Sequence, residues 1–222
     1  MNKKIIISVL VVILIILAIS VYFITKKGGN SNEKQNVQED AQTEQKEENK
    51  EEKSMYSSVK HHAQIVIKNY GTISLELDAD MAPITVENFA NLVNDGFYDG
   101  LTFHRIISGF MIQGGDPEGN GLGGSDKEIK GEFLANGVKN TISHTRGVIS
   151  MARAQSYNSA SSQFFIMHED APYLDGSYAA FGHVTEGIEI VDKICEDTKV
   201  EDSNGTVLKE NQPVIEKIIM ID

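Results

Sequence analysis

Apolar and polar positions divide the chain into three stretches of unlike pattern. From Ile5 to Ile24, twenty residues are interrupted only by Ser8 and Ser20. At 1.5 Å rise per residue, a helix of that length spans about 30 Å, the thickness of a bilayer's hydrocarbon core. Lys3 and Lys4 precede the run; Lys26 and Lys27 follow it. The pattern predicts an N-terminal transmembrane helix over residues 1–24. The amino terminus adds a narrow positive excess on its own side. That predicts a single-pass protein of the cell membrane whose C-terminal part is extracytoplasmic. A cleaved secretory signal peptide is the rival, because Ala18-Ile19-Ser20 has the small-x-small form of a cleavage site. The run continues through Val21, Tyr22, Phe23 and Ile24, which is long for a signal core. A buried core helix is disfavoured, since the segment has no polar face.

Residues 25–60 are rich in Glu, Gln, Asn, Lys and Ser, with few large apolar side chains. Such a stretch cannot bury enough surface to offset its ordering entropy. It reads as a disordered tether; a solvated charged helix from Glu39 to Lys53 is the alternative.

From His61 the pattern turns globular. In Thr72–Leu77, Ile73, Leu75 and Leu77 alternate with polar residues, which predicts a half-buried strand. Ala63–Ile67 precedes it across Asn69-Tyr70-Gly71, a hairpin turn. Pro83 opens a helix on which Val86, Phe89, Ala90 and Val93 recur at helical spacing, and Gly96 ends it. Short apolar runs follow at Phe103–Ile107, Val148–Met151, Gln163–Met167, Ala180–Val184 and Val214–Ile221, with a second helix over Gly187–Ile194. Many short strands with two helices predict a mainly β domain, a closed barrel rather than a parallel sheet. Residues 61–222 are enough for one well-buried core.

Charge and cysteine content narrow the chemistry. The 222 residues carry a net charge of −12, and the part from His61 holds 11 Lys+Arg against 24 Asp+Glu. That balance excludes sequence-independent nucleic-acid binding, which needs a cationic surface. One cysteine, Cys195, permits neither an intrachain disulfide nor a multi-cysteine zinc site. With no basic residue beside it in the second helix, Cys195 reads as buried and inert. Gly119, Gly121 and Gly124 match G-x-G-x-x-G, but no strand-to-helix context surrounds them. The six histidines show no H-E-x-x-H spacing; His104, His144 and His183 read as satisfied structural residues. No metal site is expected.

One segment remains unusual: Phe103-His104-Arg105-Ile106-Ile107-Ser108-Gly109-Phe110-Met111-Ile112-Gln113-Gly114-Gly115-Asp116. A lone arginine stands in an apolar strand, and in an unbroken strand Arg105 and Gln113 would share one face. A second cluster, Gln163-Phe164-Phe165-Ile166, again mixes one amide with aromatics. Together they suit an apolar pocket with a few polar groups. The alternative for Arg105 is an ion-paired structural arginine.

These residues resemble the cyclophilin-type peptidyl-prolyl isomerases. The matching stretches are Val86-Glu87-Asn88-Phe89, the segment from Phe103 to Asp116, Met151-Ala152-Arg153-Ala154, Ser162-Gln163-Phe164-Phe165-Ile166, Leu174-Asp175-Gly176 and Phe181-Gly182-His183-Val184. They lie in order over about residues 61–222, and residues 1–60 have no counterpart. The resemblance implies an eight-stranded antiparallel β-barrel capped by two α-helices. It implies a catalytic role for Arg105, a proline pocket of Phe110, Met111, Phe165 and Leu174, a backbone-binding amide at Gln113, and an adjoining groove of Ala152, Arg153, Ala154 and Gln163. Tyr173 takes the place of a pocket-edge tryptophan of drug-sensitive members, and Tyr178, also assigned to substrate binding, replaces a histidine. Arg153 replaces a common asparagine, Ser108 a frequent proline, and His104 matches a structural histidine. These departures bear on cyclosporin sensitivity and substrate detail.

The implied activity is rotation about Xaa-Pro bonds, assisting the folding of exported or surface proteins, with no cofactor. The implied partners are proline-containing polypeptides and, through the N-terminal helix, the membrane, with a monomeric catalytic domain. Two other readings remain: a proline-peptide binding chaperone module with little turnover, and a structural membrane protein with an inert barrel.

Overall fold

The computed structural model describes residues 59–222. The expected anchor and nearly all of the expected tether lie outside these residues. Among the described residues no helix is long and apolar enough to cross a membrane.

Strands β1 (Lys60–Ile67) and β2 (Gly71–Asp78) form the expected hairpin, with Ile65 opposite Ile73 and Ala63 opposite Leu75. The turn needs left-handed backbone at Asn69 (φ 67°), a conformation asparagine tolerates well. Helix α1 (Pro83–Asn94) buries Thr85, Val86, Phe89, Ala90 and Val93. Pro83 suits the first turn because its missing N–H would be unpartnered there. The next donors, Ile84 N and Thr85 N, are met by the buried carboxylate of Glu132 at 3.1 and 2.7 Å.

Strands β3 (Thr102–Ile107), β4 (Met111–Asp116), β5 (Val148–Met151), β6 (Phe164–Met167) and β7 (Ala179–Glu186) follow, then helix α2 (Ile188–Asp197) and strand β8 (Ile215–Met220). All eight strands belong to one sheet in the order β3-β4-β6-β5-β7-β2-β1-β8, and every ladder is antiparallel. The ladder forms a half-barrel with β3 and β8 as its edges. They meet at a bridge between Thr102 and Val214, beside a bond from Phe103 N to Pro213 O at 3.0 Å. The continuous closure expected from sequence is therefore replaced by edges joined at one end. Pro213, with no N–H, cannot extend the pairing as a donor.

The main core fills the inside of the sheet. Phe89 of α1 meets Tyr98, Phe164 and Phe181 at ring-centroid distances of 5.3, 5.8 and 5.3 Å. Helix α2 contributes Ile190, Val191 and Ile194. Strands β5 and β6 are buried on both faces; β6 is apolar throughout, and β5 is apolar except for the buried Ser150. Ile149 and Ile166 point into the main core. Met111, Val148, Phe165 and Met167 form a second, smaller cluster on the outer face, with Phe110, Ala152, Leu174 and Tyr178 packed against it. The candidate site lies on this outer cluster.

Candidate active site

The segment from Phe103 to Asp116 is a hairpin rather than one strand. The chain turns at Ser108-Gly109-Phe110, where Gly109 takes φ 78° and Phe110 N donates to Ile107 O at 2.9 Å. Arg105 then faces Gln113 directly across the β3–β4 ladder. The shared face follows from cross-strand pairing and not from the eight-residue spacing along one strand. The row continues sideways: Gln113 pairs with Phe165 on β6, and Phe165 with Ser150 on β5. Sheet register thus sets the guanidinium, an amide and an aromatic ring side by side.

Hydrogen bonds fix the polar part of this row. Arg105 Nε donates to Asn204 O at 2.8 Å, and Nη1 donates to Gln113 Oε1 at 3.1 Å. Gln113 Nε2 donates to Gln163 Oε1 at 2.9 Å, and Gln163 Nε2 donates to Gly123 O at 2.7 Å. Each amide accepts on one side and donates on the other, so one bond sets the orientation of the next. Among the described residues no carboxylate pairs with Arg105, which argues against an ion-paired structural arginine. Its Nη2 makes no hydrogen bond to the described residues and remains a donor for a ligand.

A cavity of about 220 Å³ opens beside it, lined by Arg105, Phe110, Met111, Gln113, Ala152, Arg153, Phe165, Leu174 and Tyr178. Small-molecule sites are usually about 300–1,000 Å³; this one suits a single side chain with its flanking backbone. Every lining residue is among those singled out from the sequence. Ala154 and Gln163 instead border a neighbouring cavity of about 350 Å³, which shares Gln113, Ala152 and Arg153 with the first. Tyr173 lines neither cavity. It stands at the rim, 72 % exposed, its ring stacked on Phe110 at 6.1 Å.

Arg153 turns its charge toward aromatic rings. Its guanidinium carbon lies 4.7 Å from the Tyr178 centroid, 5.1 Å from Tyr157 and 5.2 Å from Phe133, and its Nη2 donates to Ser177 O at 2.9 Å. It thereby braces Tyr178 in the pocket wall. Beneath Phe165 lies the fully buried ring of His144, stacked at 6.0 Å. Its Nδ1 contacts Asp175 Oδ1 at 2.8 Å and its Nε2 contacts Ser150 Oγ at 3.0 Å. Burial, partly opposed by Asp175, pushes the His144 pKa down.

Some expectations for single residues change. His104 is buried as expected, but neither ring nitrogen has a hydrogen-bond partner among the described residues, so the expectation of a satisfied histidine is not met there. Burial pushes its pKa down against the pull of Asp116. His183 is exposed rather than built into the interior. Cys195 has a basic neighbour after all, Arg146, which sequence adjacency does not reveal. Burial still dominates and pushes the thiol up to about 11, so it stays protonated.

Sequence reasoning missed two supports of the site. Asn204 holds Arg105 through a backbone oxygen, which no side-chain pattern marks. Gly121, matched only to a nucleotide motif, and Gly123 border the second cavity and offer carbonyls to Gln163. A Cβ on Gly123 would sit 2.2 Å from Asp116 Oδ1, so glycine is required there for close packing. Among the described residues no three His, Cys, Asp or Glu side chains are grouped to hold a metal ion.

Comparison with known proteins identifies the family. Residues 62–220 match the family model described as cyclophilin type peptidyl-prolyl cis-trans isomerase/CLD. The chain is 44 % identical over 145 residues to peptidyl-prolyl cis-trans isomerase B of Bacillus subtilis, covering 65 % of this chain and 92 % of that protein. It is 49 % identical over 116 residues to a peptidyl-prolyl cis-trans isomerase of Synechococcus elongatus, covering 52 % of this chain and 75 % of that one. Among solved structures, a cyclophilin type peptidyl-prolyl cis-trans isomerase of Cryptosporidium parvum superposes with a TM-score of 0.64 at 30 % identity, covering 74 % of this chain and 99 % of that one. The same protein has been solved in the presence of the dipeptide Ala-Pro, with a TM-score of 0.63. With eight antiparallel strands, two helices and an arginine-edged apolar pocket on the outer face, the chain belongs to the cyclophilin-type peptidyl-prolyl cis-trans isomerases.

Proposed function

We propose that the outer-face pocket catalyses cis–trans rotation about Xaa-Pro bonds, with Arg105 as the catalytic group. The observation that carries this reading is the guanidinium: anchored through Nε and Nη1, with no carboxylate partner and no bond at Nη2 among the described residues, at the edge of an apolar cavity. Rotation about a peptide bond meets a barrier of about 18–20 kcal/mol because amide resonance is lost at the twisted geometry. The proline nitrogen then becomes pyramidal and more basic. A fixed donor beside it stabilises the twisted form more than either planar one, which is what lowers a barrier. Phe110, Met111, Phe165 and Leu174 hold the ring, and Gln113 with the adjoining groove holds the flanking backbone while the preceding carbonyl turns. The step breaks no covalent bond and moves no proton. Because Arg105 is intact and aimed at the cavity, turnover is favoured over proline-peptide binding alone. The test is cis-to-trans relaxation of a proline-containing peptide; a chain that binds the peptide without accelerating relaxation would favour the binding-module reading.

For the whole protein we propose a membrane-tethered folding catalyst for exported or surface proteins. The support is sequence pattern: the twenty-residue apolar run from Ile5 and the polar stretch that follows it. The full chain should fractionate with membranes, and protease added outside intact cells lacking an outer membrane should cleave the C-terminal domain. Protection from that protease would reverse the orientation.

A further inference from the structure

The wall residue Phe110 is carried on a short exposed turn, and the turn is tied down by a side chain outside the cavity. Ser108 and Gly109 are exposed, and Gly109 has no side chain to pack. Its amide N–H donates to His168 Nδ1 at 2.8 Å. The opposite ring nitrogen, Nε2, lies 3.2 Å from Asp192 Oδ1 on α2. The other oxygen of Asp192 accepts from Arg146 Nη2 at 2.7 Å, and Arg146 Nη1 donates to His168 O, also at 2.7 Å. His168 N in turn donates to Phe110 O at 2.9 Å. The tautomer follows: Nε2 carries the proton toward the carboxylate, and Nδ1 presents its lone pair to Gly109.

We infer that His168 is a positioning residue that holds the Phe110 wall of the pocket in place, with Asp192 and Arg146 fixing its ring. This rests on the reading of that pocket as the proline site. The chain connects Gly109 directly to Phe110, whose ring stacks on Tyr173 at the rim and lines the cavity. Losing the side-chain tie leaves the backbone bond at Phe110 but frees the turn before it. The wall touches the bound ring in ground state and transition state alike, so its loosening weakens binding more than it slows rotation. The titratable neighbours of this network are Asp192 and Cys195 on α2, Glu169 and Asp170 after β6, and Arg146 before β5.

The experiment compares steady-state isomerisation by the full chain and three variants. His168→Ala should raise KM for a proline peptide about three- to tenfold, the worth of one neutral hydrogen bond, with kcat within about twofold. His168→Asn, whose amide oxygen falls close to the position of Nδ1, should return KM to near wild type. His168→Gln fills similar space but carries its acceptor too far out, and should resemble the alanine variant even if that variant folds poorly. Hydrogen exchange of the segment Ser108–Phe110 should quicken in His168→Ala and not in His168→Asn, a readout independent of activity. Unchanged KM and unchanged exchange in His168→Ala overturn the inference, as does an asparagine variant no better than alanine. Absence of isomerisation by the wild-type chain would instead overturn the reading of the pocket, and the exchange measurement would still judge His168.

Discussion

Replacing Arg105 by alanine separates catalysis from folding, and the structure sets the size of both effects. The substitution removes the bonds from Nε to Asn204 O and from Nη1 to Gln113 Oε1, together with the free Nη2 donor. Asn204 and the half-buried Gln113 sit at an open site where water can replace a lost donor. The stability cost should therefore stay below about 1 kcal/mol. Catalysis loses more. A charge-assisted hydrogen bond contributes about 1.5–3 kcal/mol, and one preorganised transition-state donor about 2.7–4 kcal/mol. Arg105 is half-exposed and its cavity is open, so the lower part of that range applies. A loss of about 2–3 kcal/mol corresponds to about a thirty- to hundred-and-fifty-fold fall in kcat/KM. Arg105→Lys should recover little, because an ammonium cannot bond Asn204 O and Gln113 Oε1 and still present a fixed third donor. The assay is cis-to-trans relaxation of a proline tetrapeptide, run beside a thermal melt of each variant. If Arg105→Ala keeps kcat/KM within about twofold of wild type while folding normally, the transition-state role is wrong.

Three further outcomes are expected. Gly205→Ala should lower both Tm and kcat/KM: Gly205 takes φ 79°, and a Cβ there would lie 2.2 Å from Ile106 O, displacing the loop whose Asn204 O holds Arg105; an unchanged melt would contradict this. Stability should fall as pH drops below about 6.5, the ordinary histidine value, because His104 and His144 have depressed pKa values when folded. The unfolded chain then binds more protons than the native one, and the loss grows until pH passes the folded values; a flat Tm between about pH 6.5 and 5 would refute it. Tyr173→Trp should tighten cyclosporin inhibition about tenfold to a hundredfold, or roughly 1–3 kcal/mol, with little change in peptide turnover. The larger indole adds an N–H and apolar area at the exposed rim, where the ring stacks on the outer side of Phe110 and is not itself part of the cavity lining; an inhibition titration that shows no gain would exclude Tyr173 as the determinant.

Much of this protein was legible in local pattern. The alternation in β2, the helical spacing from Val86 to Val93, and the flanking Pro83 and Gly96 located elements to within one or two residues, because side-chain period and terminal residues are local properties. The short apolar runs at Val148–Met151 and Gln163–Met167 marked β5 and β6. Local pattern marked Arg105, Gln113 and the aromatic cluster around Phe165; the resemblance to the cyclophilin-type isomerases, not the pattern, supplied Ala152, Arg153, Leu174 and Tyr178 of the cavity lining. Arg105 itself stood out as a lone cation in an apolar strand. Pattern alone did not say whether it was ion-paired, because the partners that decide this lie far along the chain: Asn204, which offers only a backbone oxygen, and Gln113, which reaches it by hairpin register. The same holds for Glu132, which meets the first free N–H groups of α1 from forty-seven residues away. It holds for the clamp from Asp192 through His168 to Gly109, whose members belong to three separate elements. Sequence period determines which face a residue takes on its own element. Which faces meet, which edges join and which polar atoms are left unpaired depend on long-range packing, and only the tertiary structure decided them.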